Sequence, residues 1–134
     1  MEYEVFLKYC TELMKPVKIN RRVKASDAVC VIESKNGKIY SGISLIVSAN
    51  VGFCAEQAAV AEMVKDGETV IKRALVIDKF NHVFPPCGKC RELISALSTE
   101  NKYAEFYVSS TSLVTLKELL PYDWKDIKDN DNLR

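Results

Sequence analysis

Histidine is nearly absent: the 134-residue chain carries one, His82. A centre built from several imidazoles is therefore excluded. Charge of one sign is not in excess either, with nineteen Lys and Arg against eighteen Asp and Glu. The bulk composition thus carries no electrostatic footprint for a nucleic-acid backbone, although it leaves room for a local patch. No apolar run approaches the roughly 20 residues of a spanning helix. Met1 leads directly into Glu2-Tyr3-Glu4, without the basic and apolar segments of a secretory leader. The expectation is a cytoplasmic protein with no nucleic-acid or membrane partner. Five cysteines, an odd number, then read as thiols or metal ligands rather than a disulfide framework. Repeats and low-complexity segments are also missing.

What is present is apolar material in quantity. Hydrophobic residues make up 48% of the chain, enough for one domain over residues 1–134 to bury a core without covalent staples. Val5, Phe6, Tyr9, Leu13 and Met14 fall near helical spacing and predict a helix over residues 2–15, stopped by Pro16. Residues 18–24 read as a polar basic loop. Strands are expected over 28–33 and 39–45, joined by Lys35-Asn36-Gly37-Lys38, where Asn-Gly signals a hairpin with both residues at positive φ. An irregular stretch over 46–53 leads to a helix over 54–65 that Gly67 ends. A buried strand over 74–78, a long loop over 79–86, a helix over 87–97 and a strand over 103–109 follow. Leu113-Val114 adds a short strand, and residues 116–120 a last turn of helix. Residues 125–134 are polar and expected to fray. Helix and strand alternate after the hairpin, so a mixed sheet with helices on both faces is expected, an α/β sandwich. Cys10 and Cys30 sit in apolar patterns and read as core packing.

The chemistry lies in Cys54-Ala55-Glu56 and in Pro85-Pro86-Cys87-Gly88-Lys89-Cys90. Cys87 and Cys90 are three apart, which puts them on one face of a helix. Pro86 suits a helix start, where its missing N–H costs nothing. The positive end of a helix favours thiolate, the form that binds metal. Cys54 also opens a helix, so two helix starts aim three thiolates at one point. Three ligands leave the fourth tetrahedral position of zinc open, as at catalytic sites. Glu56, in the first turn, can lean over the metal and move a proton instead of ligating.

A paired Cys/His-x-Glu and Pro-Cys-x-x-Cys is the signature of zinc-dependent deaminases. The chain resembles the cytidine deaminase superfamily through Cys54-Ala55-Glu56 and through Pro86-Cys87-Gly88-Lys89-Cys90-Arg91-Glu92-Leu93. The likeness extends to Lys38-Ile39-Tyr40-Ser41-Gly42 and Glu118-Leu119-Leu120-Pro121. The resemblance implies a three-layer α/β/α sandwich with a mixed five-stranded sheet. It implies one Zn²⁺ per chain, held by Cys54, Cys87 and Cys90, and a homotetramer whose active sites are completed across subunit boundaries. The implied activity is that of a hydrolase acting on the C–N bond of a cyclic amidine. Activated water attacks the amine-bearing ring carbon, while Glu56 takes the water proton, protonates the ring nitrogen and helps expel ammonia. Cysteine at the first ligand position resembles the free-nucleoside branch, where histidine would resemble the polynucleotide deaminases. The ending Leu119-Leu120-Pro121-Tyr122-Asp123-Trp124 is similar to both cytidine and blasticidin S deaminases.

Several positions depart from the family pattern. Ser44 and Ile46 stand where cytidine deaminases place the asparagine and glutamate that grip the ribose. The family's aromatic residue before the first strand falls near Lys24, and the usual arginine after Cys-Ala-Glu is Gln57. Cytidine-like nucleosides and blasticidin S-type or other aminopyrimidines therefore both stand as substrates. Lys89 and Arg91 are candidates to offset the negative charge of three thiolates, with surface solubility as the alternative. Ser44, Asn50 and Trp124 are candidate substrate contacts. A Cys₃His structural zinc closed by His82, and with it a non-catalytic zinc-stabilised interaction module, is the competing reading.

Overall fold

The computed structural model describes residues 2–126. Helix α1 (Tyr3–Leu13) ends three residues before Pro16. Strand β1 (Val17–Asn20) pairs antiparallel with β2 (Val23–Ser34), and β3 (Ile39–Val47) returns antiparallel on the other side of β2. Helix α2 (Ala55–Lys65) leads to β4 (Ile71–Asp78), which also pairs with β2. Helix α3 (Gly88–Leu97) crosses to β5 (Glu105–Ser109), parallel to β4, and β6 (Ser112–Thr115) closes the edge antiparallel. A last short helix, α4, spans Leu116–Leu119.

The sheet is mixed, as expected, but has six strands instead of five. The extra one is β1, within the segment read as a basic loop. Val17 and Ile19 do alternate with Lys18 and Asn20, but all four are exposed. That alternation is itself a strand signal, masked by the basic residues that surround it. β2 is central and alternates between two cores. Val29 and Val31 face α1 with Phe6, Cys10, Leu75 and Ile77. Cys30 and Ile32 face α2 and α3 with Ala59, Met63, Val76, Ile94 and Phe106. Helices thus cover both faces, giving three layers. Cys10 and Cys30 are free, buried thiols, and burial pushes the Cys10 thiol up to about 12.

Two local features differ from expectation. In the 34–38 turn the Ser34 carbonyl accepts the Gly37 N–H at 2.9 Å, and Gly37 alone, not Asn36, takes positive φ. That is the three-residue hairpin with a left-handed closing glycine, not the two-residue form. Lys125, expected in a frayed tail, is anchored by Glu92 at 2.7 Å and Asp123 at 2.9 Å. Residues 127–134 of that tail lie outside the described residues. No helix among the described residues is long and apolar enough to cross a membrane.

Candidate active site

Two backbone devices bring the cysteines together. After β3 the chain turns back, and Leu45 and Phe53 exchange backbone hydrogen bonds at 3.1 and 3.0 Å. This return puts Cys54 at the N-cap of α2, with Glu56 in its first turn. The Gln57 side-chain oxygen accepts the Cys54 N–H at 3.0 Å, so the residue replacing the family's arginine caps the zinc helix. Beyond β4, Phe84 N–H bonds to the Val76 carbonyl at 3.0 Å and aligns the next loop with the sheet. Cys87 is the N-cap of α3 and Cys90 lies in its first turn. Pro86 therefore precedes the cap and does not open the helix. Its carbonyl accepts Arg91 Nε at 2.7 Å, while Arg91 Nη1 reaches the Leu119 carbonyl at 2.8 Å.

The three sulfurs lie within 4.8 Å of one another. Cys54 Sγ is 3.7 Å from Cys87 Sγ, which is 3.4 Å from Cys90 Sγ. Tetrahedral zinc with Zn–S bonds of ~2.3 Å sets its sulfurs ~3.8 Å apart, so the triad fits one zinc with little adjustment. No histidine or carboxylate joins the group among the described residues. His82 is exposed, and its Nδ1 pairs with Asp78 at 3.0 Å. The Cys₃His closure is thus not made.

The three thiols are unequal. Burial pushes the Cys90 thiol far up. Burial also raises Cys54, and hydrogen bonding to Cys87 adds to it. For Cys87 burial acts in the same sense, but the Cys90 N–H and the neighbouring thiols donate to its sulfur and hold it below the ordinary thiol range. Glu56 is 6% exposed, and its Oε2 accepts the Cys87 N–H at 3.4 Å. That contact ties the carboxylate of one helix start to the ligand-bearing start of the other.

Beside the thiols opens a cleft of about 370 Å³, lined by Asp27, Ser44, Ile46, Phe53, Glu56 and Phe84 among others. Its wall comes from an irregularity in β2. Pairing with β3 shifts register between Ala25 and Val29, and Ser26 takes φ 62°. Bulges re-aim side chains next to active sites, and here Asp27 and Ala28 turn to the cleft. The Ala28 N–H, lifted off the ladder, is accepted by Ser44 Oγ at 3.0 Å. Ser44 therefore lines the cleft while bracing the bulge. Asn50 is exposed at φ 57° and is not part of the lining. Trp124 Nε1 donates to Glu92 at 3.3 Å, also away from the lining. Lys89 is exposed on the first turn of α3, and Arg91 is committed to carbonyls. Asp27, Phe53 and Phe84 were not foreseen. Asp27 follows from a bulge that no local pattern announces, whereas Phe53 stood next to Cys54 in plain view.

Two helix starts that converge three thiols and a carboxylate beside an open cleft define a metal-dependent hydrolytic site. The profile described as "Cytidine and deoxycytidylate deaminase zinc-binding region" matches residues 1–105, and the chain belongs to that family. It is a hydrolytic deaminase of the cytidine deaminase type, with a three-cysteine cluster suited to one zinc. Among solved structures it is similar to the cytidine deaminase of Mycobacterium tuberculosis, at 19% identity over 91% of this chain and 96% of that one, with a TM-score of 0.73. The Mycobacterium leprae cytidine deaminase matches at 15% identity over 90% and 98%, TM-score 0.71. That of Bacillus anthracis matches at 20% over 92% and 86%, TM-score 0.67. At these identities the structural likeness speaks to the fold.

Proposed function

We propose that this chain, acting as one domain, deaminates a cytidine-like aminopyrimidine nucleoside to the uridine-like product and ammonia. Cys54, Cys87 and Cys90 are its metal ligands and Glu56 its proton shuttle. The observation that carries the reading is the convergence of three thiols at zinc spacing, with Glu56 tied to the Cys87 N–H at the edge of the cleft. When bound, zinc supplies Lewis-acid chemistry that brings water toward ionisation near neutral pH. Glu56 accepts the proton that water loses. It returns it to the ring nitrogen, and a second transfer to the amine lets the C–N bond break and ammonia leave. Phe53 and Phe84 flank the cleft and exclude water from a flat ring.

A second reading, a blasticidin S-type or other aminopyrimidine deaminase, is favoured by the opposite wall. Ser44 spends an acceptor on Ala28 N–H, and Ile46 offers no hydrogen bond. A site built to bond hydroxyls discriminates strongly, and one lacking such groups does not. Cytidine is therefore expected to be a modest substrate with little advantage over deoxycytidine. We assign a cytoplasmic location and a homotetramer; Phe53 and Phe84 of the cleft lining, and Phe80 four residues before Phe84, are exposed and suit burial against another subunit.

Ammonia release from cytidine, deoxycytidine, cytosine and blasticidin S, with zinc-loaded protein, tests this. Turnover of at least one compound is expected. No ammonia from any of them contradicts the reading. A cytidine kcat/KM of ~10⁴–10⁸ M⁻¹s⁻¹ that exceeds the others many-fold contradicts the account of Ser44 and Ile46. Light scattering that finds a fully active monomer contradicts the tetramer.

A further inference from the structure

Two aspartates stand close together where β2 meets β4. Asp78 is the register partner of Ala28, the residue after Asp27. Their side chains are almost equally shielded, 18% exposed for Asp27 and 19% for Asp78. Their partners differ. Asp78 accepts the Phe80 N–H at 2.9 Å and the His82 N–H at 2.8 Å, and it pairs with His82 Nδ1 at 3.0 Å. It thereby holds the start of the loop that leads to Cys87. The Asp27 carboxylate has one polar partner among the described residues, Lys79 Nζ at 3.5 Å. A carboxylate can take about four hydrogen bonds. Lys79 is 37% exposed, and a contact of that length from so exposed a lysine contributes little. Asp78 is spent on the fold, while Asp27 keeps most of its capacity to accept.

That capacity is kept in the cleft, which Asp27 lines. It arrives there through the break in β2. Ser26 takes φ 62°, a costly conformation for a residue with a side chain, and Ser44 Oγ accepts the Ala28 N–H that the break frees. The rest of the lining divides by chemistry. On the proposed reading Cys54, Cys87 and Glu56 serve the metal and the proton. Phe53, Phe84, Ile46 and Val76 carry no polar side-chain atom. Asp27 and Ser44 are the polar side chains of the lining left for the part of the ligand that does not react. A carboxylate only accepts, so that part must bring donors. Lys79 already offsets the charge, so neutral O–H groups suffice. Such bonds to an ionised acceptor are short and roughly twice as strong as those between neutral groups.

We infer that Asp27 is a specificity-determining residue: it accepts a hydroxyl of the substrate's sugar and so separates an aminopyrimidine nucleoside from the bare base. The inference rests on the nucleoside deaminase reading above. It moves the sugar contact from β3, where Ser44 is spent on Ala28 and Ile46 has no acceptor, to the break in β2. The hydroxyl is one that ribose and deoxyribose share. The 2′-hydroxyl is left unread, in keeping with the small advantage expected for cytidine over deoxycytidine.

Calorimetric titration of zinc-loaded Glu56→Gln protein with deoxycytidine and with 1-methylcytosine, which lacks the sugar, tests it without turnover. Deoxycytidine is expected to bind at least ~10-fold more tightly, the scale of one hydrogen bond to a charged group. Adding Asp27→Asn should remove about that factor, while 1-methylcytosine binds as before. Adding Lys79→Gln instead should leave the advantage in place, because the lysine is not the contact. An advantage that is absent at the start, or that survives Asp27→Asn, overturns the inference. So does weakened 1-methylcytosine binding in Asp27→Asn, or an advantage lost as fully in Lys79→Gln as in Asp27→Asn; either marks a structural role. A 1-(3-aminopropyl)cytosine preferred many-fold over deoxycytidine, and only with Asp27 present, also overturns it, in favour of a cationic ligand. If neither probe binds, the inference falls as well. The two readings separate cleanly. If wild type deaminates deoxycytidine but Asp27 does not set the preference, only the inference fails. If the Asp27-dependent preference holds while wild type releases no ammonia, the deaminase reading fails and the sugar contact stands.

Discussion

The corner that holds the thiols and the rim that faces it are two sides of one cleft, built by different means. At the corner every functional group sits at a helix start: Cys54 and Cys87 are N-caps, and Glu56 and Cys90 lie in the first turns. Helix polarity favours negative charge there, and both helices are seated on a well-packed layer. At the rim the groups sit on strands, and their placing depends on pairing. A bulge turns Asp27 inward, and the pairing of β2 with β3 sets Ser44 and Ile46 on the same wall. Helix starts are local and robust, and they carry the chemistry. Strand register is non-local and easily retuned, and on the proposed reading it sets what the chemistry acts on.

The sharpest way to break this division is at Glu56. Glu56→Gln should retain zinc and fold, while turnover falls at least ~10²-fold, the lower range for a positioned acid–base group. Near-normal turnover on the best substrate would show that the corner works without its proton shuttle. Gly42 tests how the corner is seated. Its position on β3 lies under α2, where an added Cβ would stand 2.6 Å from the Ala55 carbonyl oxygen and 2.7 Å from Ala58 Cβ. Gly42→Ala should cost about 1–3 kcal/mol by overpacking and weaken zinc retention, because the displaced helix carries Cys54. Denaturant titration and zinc content check both.

At the rim, Ser44→Ala leaves the Ala28 N–H without its partner. A stability loss of about 1–3 kcal/mol is expected from the orphaned donor, with substrate KM changed more than kcat and zinc content unaltered. Zinc loss in this variant would mean that the two sides are not separable. The smallest effect concerns Tyr40, whose hydroxyl donates to Asp66 at 2.5 Å. That bond, with Lys38 next, holds the Asp66 carboxyl below its ordinary range. A depressed carboxyl stabilises the fold above its unfolded pKa, near 3.9, and the gain is lost as pH falls through the folded value. The difference in unfolding midpoint between wild type and Tyr40→Phe should be constant from pH 6 to 8 and shrink below about pH 4. A difference that grows in acid contradicts the assignment.

The same division governs what the sequence makes legible. Cys54-Ala55-Glu56 and Pro86-Cys87-x-x-Cys90 announce the corner, since spacing on one helix fixes a shared face. Helix α2, the stop at Gly67 and the central strands follow from apolar periodicity and one glycine at φ 87°. Strand β1 stays hidden because its four alternating residues run straight into a basic stretch that reads as a loop. Asp27 stays hidden because the bulge depends on Ser26 at positive φ and on a hydroxyl sixteen residues away on another strand. Arg91 could be seen as a cation near the thiols, but its service to two carbonyls depends on where α4 docks.

The central claim is that the three thiols hold one metal ion, and elemental analysis of protein purified without added metal tests it most directly. The account predicts close to one equivalent of zinc per chain, lost in the Cys87→Ala and Cys90→Ala variants. Full retention of zinc by protein in which Cys54, Cys87 and Cys90 are all replaced by alanine would contradict it.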